Sequence, residues 1–171
     1  HHLRIAATWD GRPVAASEVV TLTLKPLRRG LRLRVEAPFH GDPPPAGPPG
    51  ATDRLWEREV VELFLVGAGE PVPYTEVELG PHGHHLVLRL AGVRQVVASR
   101  LPLRYRAAIA GGRWAGEALL PRDLLPPPPH RVNAFAIHGS GEARRFLAMA
   151  PVPGPRPDFH QLARFPVLDL S

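Results

Sequence analysis

The 171-residue chain has no cysteine, and lysine, asparagine and methionine occur once each, as Lys25, Asn133 and Met149. Without cysteine, disulfides and thiolate metal sites are excluded, and the composition is compatible with a reducing compartment. No apolar run approaches the length of a membrane span, and the N-terminus lacks the basic-then-apolar order of a signal peptide. We therefore expect a cytoplasmic protein without a membrane partner.

Charge and proline content indicate the type of source organism and argue against one class of partner. The depletion of thermolabile side chains, together with 22 prolines, is typical of proteins from a thermophile. The net charge of +5 comes almost wholly from arginine, and the densest group is Arg28, Arg29, Arg32 and Arg34. Arginines scattered in this way are typical of a solvated or acid-paired surface, so we expect no nucleic-acid partner.

Short runs rich in valine and leucine, bounded by glycine or proline, recur along the whole chain without a competing helical period. Gly111-Gly112 is typical of a two-residue hairpin turn, and Gly80–Gly83 fits a type I turn. The pattern predicts an all-β, antiparallel, jelly-roll-like β-sandwich of about ten strands, forming one domain over residues 1–171. Little helix is expected beyond a single turn near Pro121–Leu125. The predicted strands are Leu3–Trp9, Val19–Leu24, Leu31–Ala37, Val60–Val66, Tyr74–Leu79, His85–Ala91, Leu103–Ala110, Trp114–Leu120, Arg131–His138, Arg144–Ala150 and Pro166–Leu170.

Proline and strand alternation also define the expected surface and core. Pro43–Gly50 and Pro126–Pro129 cannot pair as strands and are expected to form surface loops. Side chains alternate between the two faces of a strand, so every second residue of the central strands should be buried. The expected core residues are Val61, Leu63, Leu65, Val77, Leu79, Leu86, Leu88 and Leu90.

Carboxylates interrupt this strand pattern. Glu62 lies in mid-strand and shares a face with Val60 and Phe64, while Glu76 and Glu78 share a face of the next predicted strand. Burying an ionised carboxylate on a sheet face is unfavourable in free energy unless the group is ion-paired or hydrated. These acids therefore indicate a sheet face with a polar role such as binding. A lattice of acids and arginines on a solvated face is the structural alternative.

A polar ligand such as a sugar suits this face, because a ring hydroxyl donates to a carboxylate and accepts from an arginine. A pyranose also packs its C–H face on an indole, so two tryptophans could clamp a sugar, although core packing is the alternative role for each. The candidate ligand-binding residues are Glu62, Glu76, Glu78, Arg89, Asn133, Arg145, Trp56 and Trp114.

Six sequence blocks carry a resemblance to a known family. They are LWEREVVELFL with YTEVELGPHGHHLVLRL, W-x-G-E-A-x-L-P at Trp114–Pro121, NAFAIHG, RRFLAMAPVP and PDFHQLARF. In this order they resemble an uncharacterised protein family of animals and bacteria, and more distantly the DOMON-like β-sandwiches that include carbohydrate-binding module family 9. The resemblance implies a sandwich with a ligand-binding face, and hence a non-catalytic module whose small-molecule ligand is a saccharide.

Histidines in these blocks point to an alternative function. His82, His85, His138 and His160 match the pattern of the uncharacterised family, whereas His84 does not. Imidazoles joined by a carboxylate such as Glu62 would suit zinc or another divalent metal, which would make the chain a metal-binding protein or a metal-dependent hydrolase. Structural, hydrogen-bonded histidines are the other interpretation. No nucleophile elbow, P-loop or dinucleotide fingerprint is present, and no cofactor is predicted beyond that metal.

Overall fold

The computed structural model describes residues 1–170, which form thirteen β-strands in two antiparallel sheets. Helical structure in this range is confined to five three-residue 3-10 turns, at Ala16–Glu18, Leu55–Glu57, Arg122–Leu124, Gly141–Ala143 and Leu162–Arg164. None of these turns is long enough to span a membrane. The strands are β1 His2–Ile5, β2 Ala7–Thr8, β3 Val20–Leu27, β4 Gly30–Pro38, β5 Val60–Val66, β6 Pro73–Leu79, β7 His85–Ala91, β8 Val96–Ala98, β9 Arg104–Ala110, β10 Arg113–Pro121, β11 His130–His138, β12 Arg145–Ala148 and β13 Val167–Leu168. The predicted all-β sandwich is confirmed, with three more strands than the ten expected.

The two sheets differ in size. The five-stranded sheet has the order β1-β3-β4-β10-β9, and the eight-stranded sheet has the order β2-β12-β11-β5-β6-β7-β8, with β13 paired to β11. The predicted strand Leu3–Trp9 is wrong as a single unit, because β1 and β2 belong to different sheets. At the break, the carbonyl of Ala6 accepts a hydrogen bond from the amide of Val14 at 3.2 Å instead of continuing a ladder.

The predicted turns are confirmed by backbone geometry. Gly111 and Gly112 have φ of 57° and 72°, the left-handed pair that a primed two-residue turn requires. In the β6–β7 loop the amide of Gly83 donates to the carbonyl of Gly80 at 3.3 Å, closing the predicted turn. The helical turn expected near Pro121–Leu125 lies at Arg122–Leu124. The edge strand β8, whose valines are exposed, was not predicted.

One apolar core fills the space between the sheets. It includes five of the expected core residues, Val61, Leu63, Leu65, Val77 and Leu79, all buried. Leu86, Leu88 and Leu90 are buried as expected, but they belong to a second apolar cluster. They pair with Glu78, Glu76 and Tyr74 of β6, so alternation turns them to the outer face of the eight-stranded sheet.

A second apolar cluster covers that outer face. Phe64 of β5 and Phe135 of β11 form its centre, with ring centroids 5.4 Å apart. The C-terminal segment packs on top, because Phe159 stacks on Phe135 at 3.9 Å and Phe165 meets Phe64 edge-on at 5.9 Å. Both faces of this sheet are therefore buried over its centre, which explains why β5 is buried along its whole length.

Candidate functional site

The three acids singled out in the sequence lie together on the outer face of the eight-stranded sheet. Glu62 of β5 is the direct cross-strand partner of Glu78 of β6, and Glu76 is the partner of Phe64. All three are buried, with exposures of 2% for Glu62, 5% for Glu76 and 0% for Glu78. Strand alternation places them here, since the intervening residues point into the core between the sheets.

A cleft of about 410 Å³ opens above two of these acids, Glu62 and Glu76. The sheet forms its floor, and Trp56, Phe146 and residues 157–160 form its walls. Its volume lies within the range of about 300–1,000 Å³ that is usual for small-molecule sites. The polar lining residues are Glu62, Glu76, Arg94 and His160; the aromatic ones are Trp56, Phe64, Phe146 and Phe159; the remainder are Leu88, Leu90, Val96, Ile137 and Pro157.

The acids resist ionisation. Burial raises the pKa of Glu76 to about 7, against the opposing attraction of Arg94. Burial, and then repulsion from Glu76, raises the pKa of Glu62 well above its usual range, although Arg144 acts in the other direction. Burial and its two acidic neighbours likewise raise the pKa of Glu78. Burial and mutual repulsion therefore oppose the simultaneous ionisation of the three carboxyls.

A hydrogen-bonded chain closes one end of the cleft. The Tyr74 hydroxyl accepts from the backbone amide of Arg94 at 3.0 Å and donates to Nδ1 of His160 at 2.8 Å. Burial, followed by repulsion from Arg94, lowers the pKa of His160 to about 4, so its ring is neutral and can accept this bond. The Arg94 guanidinium pairs with Asp158 at 2.8 Å, which ties the β7–β8 turn to the C-terminal segment.

Trp56 stands at the mouth of the cleft and is 40% exposed. Its position is fixed from the backbone, because the guanidinium of Arg144 donates to the carbonyls of Trp56 and Glu57. The same guanidinium lies 5.4 Å from the centroid of the Phe146 ring, a cation–π distance. The indole is thus held on an anchored turn at the mouth of the cleft, and Trp56 remains partly exposed.

Of the residues predicted to bind the ligand, Glu78 does not line the cleft, and four others lie away from it. Trp114 is 2% exposed and belongs to the core between the sheets, which is the alternative role expected for it. Arg89 pairs with Thr75 in the sheet and donates to the carbonyl of Asp123 at 2.6 Å, so alternation turns it from the acidic face. Arg145 forms an ion pair with Glu18 at 2.8 Å.

Asn133, the fourth, is fully buried and has a structural role. Its amide nitrogen donates to the carbonyl of Ala150 at 2.9 Å, and its oxygen accepts from the amide of Ala150 at 3.0 Å. The side chain thus holds the residues that follow β12 against β11.

We expect Asn133→Ala to lower the free energy of unfolding by about 2 kcal/mol, because it leaves two partly buried backbone groups of Ala150 without their present partner. Arg145→Ala is the control, since its exposed ion pair with Glu18 contributes about 0–1 kcal/mol. Urea unfolding of both variants measures the difference. Equal losses in the two variants would contradict the structural role of Asn133.

The four histidines proposed for a metal occupy separate environments. His82 lies 3.2 Å from the carbonyl of Asp42, and the His85 ring meets Tyr105 edge-on. His138 stacks on His40 with ring centroids 3.4 Å apart, and His160 lies in the cleft. Within residues 1–170, no group of three or more histidine, aspartate or glutamate side chains is arranged to hold a metal ion.

Sequence reasoning missed most of the cleft walls. Arg94 lies in a turn with φ of 57°, and nothing in its sequence neighbourhood marks it as a site residue. Phe159 and His160 lie in the block PDFHQLARF, of which only His160 was predicted as a site residue, and then as a metal ligand. The combination of aromatic and titratable residues in that short block was the available signal.

Two solved structures share the fold of this chain. A chain described as "a putative carbohydrate-binding protein" from Bacteroides uniformis matches with a TM-score of 0.75 at 16% identity, over 98% of this chain and 84% of that one. A carbohydrate binding module of family 9 from Caldicellulosiruptor kristjanssonii, in complex with cellotriose, matches with a TM-score of 0.51 at 12% identity, over 76% and 64% of the two chains. The chain therefore shares its β-sandwich fold with both of these structures.

Sequence relatives identify the family. The chain is 45% identical over 170 residues to the UPF0462 protein C4orf33 homolog of Mus musculus, covering 95% of this chain and 88% of the relative. It is 45% identical to human UPF0462 protein C4orf33 and 44% identical to the Danio rerio homolog, covering 84% and 85% of those proteins. No protein-family model matches the chain. The chain belongs to the UPF0462 family, which confirms the resemblance predicted from the six sequence blocks.

Proposed function

We propose that this chain is a non-catalytic binding module for a carbohydrate, and that the carbohydrate occupies the cleft above Glu62 and Glu76. One observation carries the proposal: a half-exposed indole, Trp56, faces a cleft whose floor holds two buried carboxyls. An open aromatic face and buried hydrogen-bonding groups are the two elements that a pyranose ring requires. The two solved neighbours have carbohydrate-binding descriptions, and one of them contains cellotriose.

The polar groups of the cleft suit hydroxyl recognition. A protonated carboxyl can donate to a sugar hydroxyl and an ionised one can accept from it, so Glu62 and Glu76, whose pKa values are raised, can adapt to either orientation of a sugar hydroxyl. Arg94, held by Asp158, offers guanidinium donors from the side of the cleft. Aromatic walls at Phe146 and Phe159 exclude water and strengthen these bonds.

Isothermal titration calorimetry against a panel of mono- and oligosaccharides tests the proposal. Saturable binding of at least one saccharide, lost in Glu62→Gln, is the expected result. The Gln variant keeps the shape of the side chain, so its melting temperature should stay within a few degrees of the unsubstituted protein. Heats that stay flat at about millimolar ligand across the panel would contradict carbohydrate binding.

Trp56→Ala should weaken saccharide binding by about tenfold, because it removes an aromatic stacking face worth about 1–1.5 kcal/mol. Trp56→Phe keeps an aromatic ring at the mouth of the cleft, so its affinity should lie between those of the unsubstituted protein and Trp56→Ala. Ile109→Ala is the matched control, since Ile109 is 39% exposed on the other sheet, close to the 40% of Trp56. Equal affinities of the Trp56→Ala and Ile109→Ala proteins would exclude Trp56 from the site.

A second candidate function, acid–base cleavage of a glycosidic bond, is favoured by the raised pKa of the two carboxyls that line one cleft. Release of nitrophenol from nitrophenyl glycosides tests it. Turnover that disappears in both Glu62→Gln and Glu76→Gln would establish catalysis and contradict a non-catalytic module. Binding without turnover is the result that the proposed function predicts.

A further inference from the structure

The acids of the cleft have no cationic partner within the described part of the chain. None of the ion pairs in residues 1–170 involves Glu62, Glu76 or Glu78. No donor in this range hydrogen-bonds to the carboxyl of Glu62 or Glu76, although both are more than nine-tenths buried and line the cleft. Behind them, neither carboxyl oxygen of Glu78 has a partner at hydrogen-bond geometry, and the one donor close enough to lower its pKa is the backbone amide of Trp56.

The cations nearest to these acids are engaged elsewhere. Arg94 lines the cleft, but its guanidinium pairs with Asp158 at 2.8 Å. Arg144 lowers the pKa of Glu62 from a distance, while its guanidinium donates to the carbonyls of Trp56 and Glu57. Neither arginine therefore supplies the positive charge that the buried carboxyls would need in order to ionise together.

The remaining walls suit a cation as well as they suit a sugar ring. Trp56, Phe146 and Phe159 line the cleft beside the acids. The face of an aromatic ring attracts a cation, most strongly when the cation is desolvated. Unpaired carboxyls on the floor and aromatic faces on the walls are the combination that stabilises an ammonium group.

We infer that the cleft selects ligands that carry an ammonium group, so that the carbohydrate of the proposed function is an amino sugar with a free amine. This inference rests on the proposed function for the sugar part of the ligand and on the unpaired acids for the amine. A neutral sugar leaves the buried carboxyls without a counter-charge. An ammonium group placed between Glu62 and Glu76 supplies that charge and up to three donors.

Ammonium binding has a proton signature that neutral-sugar binding lacks. The incoming cation favours the ionised carboxyls, so protons that the raised pKa values hold on Glu62 and Glu76 in the free protein should be released on binding. The other charged or titratable groups facing these acids are Glu78, Arg94, Arg144, Asp158 and the Tyr74–His160 pair.

Calorimetry with four ligands tests the inference: D-glucosamine, N-acetyl-D-glucosamine, D-glucose and cyclohexylamine. At a pH near 6, D-glucosamine should bind at least about tenfold more tightly than the two neutral sugars. Its apparent enthalpy should change between buffers of different ionisation enthalpy, reporting a release of up to about one proton per ligand. D-glucose and N-acetyl-D-glucosamine should show no such change.

The four ligands separate failure of this inference from failure of the proposed function. Equal binding of D-glucose and D-glucosamine without proton release would overturn the ammonium selection and leave carbohydrate binding intact. Binding of cyclohexylamine as tight as that of D-glucosamine, with no binding of neutral sugars, would support the ammonium site and overturn the carbohydrate function. No binding of any of the four would overturn both.

Substitutions test whether Glu62 and Glu76 cause the preference for D-glucosamine. The double variant Glu62→Gln with Glu76→Gln should lose both the preference for D-glucosamine and the proton release, while its fold is checked by circular dichroism. Glu117→Gln is the control, because Glu117 pairs with Arg106 on the five-stranded sheet and should leave both measurements unchanged. A preference for D-glucosamine that persists in the double variant would overturn the assignment to these acids.

Discussion

Glu76→Gln is expected to stabilise the protein relative to the unsubstituted chain by an amount that grows by roughly 3 kcal/mol between pH 4 and pH 8, given a pKa raised to about 7. A carboxyl whose pKa is raised by folding binds more protons in the folded than in the unfolded state. Its contribution to stability is therefore complete below its ordinary pKa of about 4.5 and is lost as the pH rises through about 7. Glutamine resembles the protonated acid and does not ionise, so the variant should not lose this stability as the pH rises.

Urea unfolding of both proteins at intervals from pH 4 to pH 8 measures the effect. His138 and His160 titrate in the same range with the opposite sign, since burial lowers the pKa of each to about 4. Both proteins share these histidines, so the difference between the two curves reports the titration of Glu76 together with its repulsion of Glu62 and Glu78. Parallel curves would mean that Glu76 is solvated and would contradict its place on the buried floor of the cleft.

Phe64→Ala is expected to lower the free energy of unfolding by about 3–5 kcal/mol, the usual cost of removing a buried phenylalanine. Phe64 is fully buried and its ring contacts Phe135, His160 and Phe165. The substitution removes the contact on which the C-terminal segment rests, so saccharide binding should weaken as well.

Chemical denaturation of Phe64→Ala and Phe64→Leu measures this contribution. The leucine variant keeps most of the apolar volume and should lose less than about 1.5 kcal/mol. A loss below about 1 kcal/mol in the alanine variant would show that the outer cluster is loosely packed. The cleft could not then be a preformed site.

Much of the fold is predictable from local pattern. Short β-branched and leucine-rich runs predict the strands, and the Gly111-Gly112 pair predicts its hairpin, because both depend only on neighbouring residues. Sheet membership is not local. The break at Ala6 sends β1 and β2 to different sheets, although the sequence of Leu3–Trp9 reads as one strand.

The site was only partly predictable, because it also depends on which strands pair and not only on neighbouring residues. Alternation placed Glu62, Glu76 and Glu78 on one face, which the structure confirms. Arg89 lies on the opposite face because it pairs with Thr75, a register that requires the partner strand to be known. Asn133 is on the acidic face, but its side chain is hydrogen-bonded to the backbone of Ala150. These residues are 17 positions apart, so no local pattern shows the contact.

The cover of the site depends on long-range packing. Phe159 and His160 reach the cleft only because the C-terminal segment folds back over β5 and β11. Their sequence block resembles neither a strand nor a long helix, so it gave no expected position. The apolar residues Leu86, Leu88 and Leu90 were predicted as core for a similar reason, since a sequence does not show that a sheet is covered on both faces.

The indole N–H signals in a nitrogen-15 NMR titration test the central claim most directly, because the chain has three tryptophans in three different environments. Trp56 lines the cleft, Trp114 lies between the sheets, and Trp9 packs at the border of the outer cluster. On addition of D-glucosamine, the account predicts a saturable shift of the Trp56 signal while the Trp114 signal stays in place. A saturable shift of Trp114 with an unmoved Trp56 would contradict a carbohydrate site in this cleft.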